Sequence, residues 1–212
     1  MCRSTSALLR GERLPDAVEG ARPLALQCPP PAPVPLALAA VTTPSIRLAG
    51  AVADQWLPFL LPATALDDGR AELVRTAAQH ERPAPTVTAC VPLAIAADER
   101  GAERLAAQWL LAYTTRMGPV YPRVLRAHGY GPEIDALLAA NDDPRSPVLP
   151  SAARRLAEDV LLLGTHEEAP ALCRRWAGHA DAIALVLPFA SDEDDLLAVV
   201  DATAPGPGAA AS

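Results

Sequence analysis

Histidine, cysteine, tyrosine and clustered carboxylates are the residues of this 212-residue chain with chemistry to offer, and their spacing excludes most reactions. His80, His128, His166 and His179 are scattered. In the run HEEAP, Pro170 stands where an HExxH zinc helix needs its second histidine. Cys2, Cys28, Cys90 and Cys173 include no CxxC pair, so zinc-ribbon and dithiol redox chemistry fail and reduced thiols are expected. No serine sits in a GxSxG elbow. Asp192–Asp195 (DEDD) suits the acidic first turn of a helix, where carboxylates meet the positive end of the dipole, better than a metal site. No metal ligand set and no catalytic residue emerges. Tyr113 and Tyr121 suit either one cavity wall or a buried core pair. His128, in RAHGYG, suits a surface histidine at a helix end, favoured there by the dipole.

Composition narrows the partners. Half of the residues are hydrophobic and only 4% aromatic, so Leu, Ala and Val must build the core of one sizeable domain. The formal net charge of −7 argues against a nucleic-acid backbone or an anionic membrane as main partner, though not against a local phosphate pocket. No apolar run is long enough to span a membrane, and Met1–Arg10 lacks the apolar core of a signal peptide. A cytoplasmic location is expected.

The elements that must position any site read as follows. TSALLRGE is a helical start that Gly11 closes. The proline-rich CPPPAPVP, Cys28–Pro35, is an extended connector, with a ligand for a proline-binding domain as the alternative. Val34–Ala40 suits a fully buried strand. Ser45–Val52 offers a short helix with Ile46, Ala49 and Ala53 on one face, and Trp56–Leu61 returns to strand character. Leu66–His80 reads as a helix with Leu66, Leu73, Val74, Ala77 and Ala78 inward. Thr86–Ala96 (TVTACVPLAIA) is β-branched and free of charge, a clear strand. Asp98 caps a helix running through Tyr113. Val120–His128 and Glu133–Ala140 are two short helices with no strand between them, an all-helical insertion. Alternation then resumes: strand Asp159–Leu163, helix Thr165–Ala177 with a TxxE capping box, strand Ala182–Pro188, and helix Asp192–Val200.

Repeated βα units with charge-free strands imply an α/β fold, with a parallel sheet buried on both faces. About five strands are countable, whereas a closed (β/α)8 TIM-type barrel runs to about 250 residues. The reading is therefore an incomplete barrel, roughly three βα units short, with a helical insertion. It divides as an N-terminal helix and Pro-rich connector at 1–33, a partial barrel at 34–203 with its insertion at about 114–150, and a disordered tail at 204–212. A partial parallel sheet exposes an edge and an apolar face, so a homo- or hetero-oligomer is expected.

Several stretches, in order, carry a resemblance: VPLALAAVTTPSIRLAGAVADQWLPFL, TVTACVPLAIAAD, YTTRMGPVYPRVLRAHGYG and VLLLGTHEEA. Over about residues 7–200 the chain is similar to the luciferase-like monooxygenases, most closely to members using the deazaflavin F420 or FMN. The resemblance implies that Asp54 ends a helix at the barrel rim as the next strand begins, stabilised by loop amides. The family usually has Gly next; here Gln55 stands there, so the turn differs or Gln55 is strained.

The same resemblance implies a cofactor-binding loop at Ala39, Ala40, Val41, Thr42, Thr43 and Pro44, where Thr42 or Thr43 also suits the cap of the next helix. It implies a substrate pocket bordered by the insertion that holds Tyr113, Tyr121 and His128. The function implied is a flavin- or F420-dependent oxidoreductase, with F420 slightly favoured and a small-molecule substrate. The segments carrying the family's reaction centre have no counterpart here, so the chain is expected to be truncated and inactive alone. The alternative is a non-catalytic subunit or fragment that pairs with itself or a partner, or a reading frame begun at an internal methionine.

Overall fold

The computed structural model describes residues 2–14, 23–143, 146–188 and 193–204. The expected tail from residue 205 onward and Asp192 of the acidic turn lie outside the described residues. The fold class is α/β, with about five strands of a parallel sheet, as the alternation implies. The chain divides into two compact units: residues 1–56 with 71–86, and residues 57–70 with 87–212.

The first unit begins with helix α1 (Cys2–Leu9), closed by Gly11 at φ +78°. Strand β1 (Ala37–Ala39) leads into helix α2 (Thr43–Val52) and strand β2 (Gln55–Leu57). The strand expected over Val34–Ala40 is only these three residues, with Ala37 and Ala39 exposed and Leu38 partly buried rather than all fully buried. Pro33 and Pro35 remove the amide donors that would extend it. Helix α2 buries Ile46, Ala49 and, at its end, Ala53, as expected.

The corner after α2 is held by Asp54. Its Oδ2 accepts the Leu36 amide at 2.8 Å, and its Oδ1 accepts Arg82 Nη2 at 2.9 Å. Its backbone amide donates to Leu36 O and its carbonyl accepts the Thr86 amide. Gln55 enters β2 without a positive φ, so the turn differs and no strain falls on it. The strand expected over Trp56–Leu61 stops at Leu57. Pro58 has no donor to continue it, and the left-handed turn comes later, at Leu60 (φ +53°).

Helix α3 (Ala63–Gln79) buries Leu66, Leu73, Thr76 and Ala77. Val74 and Ala78, expected inward, face solvent, because one residue's step of about 100° carries each off the buried stripe.

The second unit is organised on strand β3 (Thr86–Ala96), found with the expected limits. Strand β5 (Ala182–Val186) pairs in parallel with Thr88–Pro92, and strand β4 (Leu162–Thr165) with Leu93–Ala96. Two short strands thus share one long one, where a sequential barrel would set β5 against β4. Burial on both faces holds for Val91–Ile95 but not for β5, which is half-exposed. Asp98 caps helix α4 (Glu99–Leu111) by accepting the Gly101 amide at 2.7 Å. Gly101 must be small there, since a Cβ would lie 2.8 Å from Ala96 Cβ.

Helices α5 (Val120–Ala127) and α6 (Gly131–Ala139) form the expected insertion, joined through Gly129 at φ +89°. Helix α7 (Arg154–Val160) takes Asp159 and Val160 from the expected strand, which begins only at Leu162. The Arg154–Glu158 pair at 2.8 Å favours helix there. Helix α8 (Ala169–Trp176) starts four residues later than expected, with Pro170 in its first turn. The Thr165–Glu168 contact forms, with the Glu168 carboxylate accepting the Thr165 amide at 2.8 Å, but it closes the turn leaving β4 ahead of the helix. Helix α9 (Glu193–Thr203) ends the described chain.

Replacing Asp54 by Ala strips the acceptor from both the Leu36 amide and Arg82, whose Nη1 is already buried without a partner. The expected loss is about 1–2 kcal/mol of unfolding free energy, read from urea midpoints, and an unchanged midpoint contradicts the corner's role.

Candidate functional site

In the first unit, the loop Ala39–Pro44 is polar but largely committed to its own helix. Ala40 is buried and its carbonyl accepts Trp56 Nε1 at 2.8 Å. Thr42 is the residue before α2, and its amide donates to Ser45 Oγ at 3.1 Å. Its hydroxyl lies 2.8 Å from the same Oγ. Of the two threonines that suited the cap, Thr42 therefore takes it. Pro44 offers no amide. Thr43 is exposed. No residue of this loop is cationic.

In the second unit, the structure brings Tyr113 and Tyr121 together and leaves His128 apart. The tyrosine rings meet edge to face, with centroids 4.9 Å apart and planes at 87°. Phe59 joins both, 4.8 Å from Tyr113 and 6.0 Å from Tyr121, and touches Trp109 at 6.2 Å. Beneath them Trp109 is buried, with its indole nitrogen donating to Leu93 O at 2.9 Å. Phe59, Tyr113 and Tyr121 keep part of their surface exposed while packing on the core.

Local sequence explains their placement. Tyr113 lies in a π-helical turn, Ala112–Arg116, that continues α4 and closes with the Met117 amide on Ala112 O at 3.2 Å. The Thr114 and Thr115 hydroxyls turn back onto Leu110 O and Leu111 O at 2.7 and 2.6 Å, the local competition that widens a helical turn. Phe59 is set by Leu60, whose buried side chain is held at a positive φ that such a residue rarely adopts. His128 is exposed at the end of α5, seven residues beyond Tyr121 and so about 10 Å along the helix.

The site's titratable groups stay neutral. Burial raises the phenol of Tyr113. It also raises that of Tyr121, helped by Tyr113 and by the Cys90 thiol nearby. Burial raises Cys90 as well. The arrangement is thus an aromatic wall with protonated hydroxyl and thiol groups, suited to stacking and hydrogen-bond donation rather than to base or nucleophile chemistry. No group of three His, Cys, Asp or Glu among the described residues is placed to hold a metal. Phe59, Cys90 and Trp109 escaped the sequence reading; the adjacent Thr114–Thr115 pair was the one local signal that the helix end was unusual.

The comparisons with known proteins follow this geometry. A family profile described as luciferase-like monooxygenase matches residues 3–178. No curated protein matches the chain. Among solved structures, an F420-dependent secondary alcohol dehydrogenase in complex with an F420–acetone adduct aligns at TM-score 0.62 and 14% identity, over 96% of this chain and 60% of that one. A coenzyme F420-dependent tetrahydromethanopterin reductase from Methanopyrus kandleri aligns at 0.57 and 16%, over 79% and 49%. An EDTA monooxygenase from Chelativorans sp. BNC1 aligns at 0.54 and 23%, over 91% and 50%. At these identities the likeness concerns the fold, and the chain spans about half to three-fifths of their length. No described helix is long and apolar enough to cross a membrane.

The chain's three tyrosines allow a direct check, since Tyr130, donating to Asp159 at 2.8 Å, is raised by burial as well. Phenols that hold their protons more tightly when folded lose stability as pH rises above the ordinary value of 10 toward the raised ones. Phenolate absorbance of the folded chain is expected to rise later than that of the urea-unfolded chain. Superimposable titrations contradict the burial of these rings.

Proposed function

The chain belongs to the luciferase-like monooxygenase family, and we propose that it acts as a flavin- or F420-dependent oxidoreductase, seating a planar ring against Phe59, Tyr113 and Tyr121. The observation that carries this reading is the half-exposed aromatic wall over Cys90. A conjugated ring gains contact area and edge-to-face or stacked geometry on such a surface. When bound, such a cofactor supplies the hydride transfer or oxygen activation. The chain's own residues hold the ring and screen it from water, and Tyr121 Oη and Cys90 Sγ keep their protons. His128, exposed at the end of α5, enters the proposal only as a contact at the rim.

The fit is uneven. The wall suits the ring end of a flavin or deazaflavin. The loop Ala39–Pro44 of the first unit, proposed by itself as a phosphate contact, has Thr43 to offer, because Thr42 serves the cap and Pro44 has no amide. It lacks the charge to hold a phosphate unaided. F420 is favoured over FMN by the F420-dependent enzymes among the similar structures.

A second reading, a non-catalytic chain that pairs with itself or a partner, is favoured by the half-exposed β5 and the exposed Leu187 that follows it.

An anaerobic titration of the purified chain with F420 and then FMN, read by cofactor fluorescence, tests the first reading. Saturable binding is expected, tighter for F420. Tyr121→Ala is expected to weaken it about tenfold, the worth of one aromatic contact. Saturation with neither cofactor, or a Tyr121→Ala titration matching the parent's, contradicts the reading and leaves pairing, visible by light scattering.

A further inference from the structure

Helix α4 presents Arg100, Arg104 and Gln108 at successive four-residue steps, so the three side chains share one face. All three are exposed. Two cavities open along that face, and both are walled by Arg104 and Gln108. The smaller, of about 210 Å³, is closed by His166 at the exit of β4 and by Asp195 of α9. The larger, of about 420 Å³, takes in Arg100, Glu103 and the segment Ser146–Leu149.

The charges on this face are out of balance. Among the described residues neither Arg100 nor Arg104 has an ion-pair partner, whereas Arg154 of α7 holds Glu99, Glu103 and Glu158 at once. Glu99 and Glu103, adjacent in sequence to Arg100 and Arg104, both pair with Arg154, Glu103 at 2.8 Å while it also lines the larger cavity. Like charges four residues apart on a helix repel. A guanidinium offers only donors, in a planar fork that matches an oxyanion.

We infer that the Arg100–Arg104–Gln108 face of α4, with His166 opposite, is a binding site for a small oxyanion, of the class of a phosphate monoester. Arg104 is its centre, because it borders both cavities, and Gln108 adds an amide donor. Asp195 also lines the smaller cavity. None of these residues belongs to the aromatic wall, so the site stands or falls apart from the cofactor reading.

The test uses the full chain and inorganic phosphate as probe, titrated by calorimetry at constant ionic strength with chloride as the control anion. Saturable phosphate binding is expected, about tenfold weaker in Arg104→Gln and weakened less in Arg100→Gln. Arg116→Gln, an exposed arginine outside both cavities, is expected to bind like the parent, which separates a site from general loss of charge. Circular dichroism confirms that each variant is folded. Absence of saturable binding in the parent overturns the proposal, as does equal weakening by Arg104→Gln and Arg116→Gln.

Discussion

A single charge-free strand, β3, is the constraint on which the larger unit depends. Eleven residues without a charge cannot remain in water, and Val87, Val91, Leu93 and Ile95 are almost wholly removed from it. Burying side chains of this size contributes about 1.5–3 kcal/mol each. The backbone of so long a strand must also be satisfied along its whole length. β5 satisfies its first half and β4 its second, and the Trp109 indole donates to the Leu93 carbonyl where the two partners meet. That indole fixes α4 on the strand, and α4 in turn carries Tyr113 on its π-helical extension.

Charge is used sparingly and locally. The chain has no lysine, and its described arginines are mostly matched to particular carboxylates or carbonyls rather than spread as a field. Asp181 illustrates the pattern: it accepts the Val87 amide at 2.7 Å and Arg70 at 3.1 Å, and those bonds hold its carboxyl below the usual range. It ties the entry of β3 to the segment leading into β5. Arg155 lies 4.5 Å over the Tyr130 ring while pairing with buried Glu133, which anchors the helical insertion to α7. Arg100 and Arg104 on α4 are among the described arginines without such a partner, and they stand four residues apart on one helix face.

How much was legible follows from the range of each interaction. β3 and the Asp98 cap were readable because they rest on neighbouring residues. Asp54 was readable as a corner, although Arg82 as its partner was not, being 28 residues away. The run Asp159–Leu163 misled because a short apolar stretch between a helix and a strand looks alike in both; only the Arg154–Glu158 spacing distinguishes them. Val74 and Ala78 misled because apolar type alone does not tell which side of a stripe is buried. Tyr113 and Tyr121 were singled out by their spacing of eight, and their rings do meet. Phe59 and Cys90 reach them through the fold, which no local pattern encodes. His128 looked equivalent in sequence and is separated by the length of a helix.

The most direct test of the account is whether the aromatic wall itself meets the cofactor ring. Because the chain has three tyrosines, ring-labelled tyrosine gives three resolvable nuclear magnetic resonance signals, assigned by Tyr→Phe replacement. Adding F420 should shift Tyr113 and Tyr121 through the ring current of the bound cofactor and leave Tyr130, committed to Asp159, where it was. Unmoved signals for Tyr113 and Tyr121, or a shift confined to Tyr130, would contradict the assignment of this wall as the place where the ring sits.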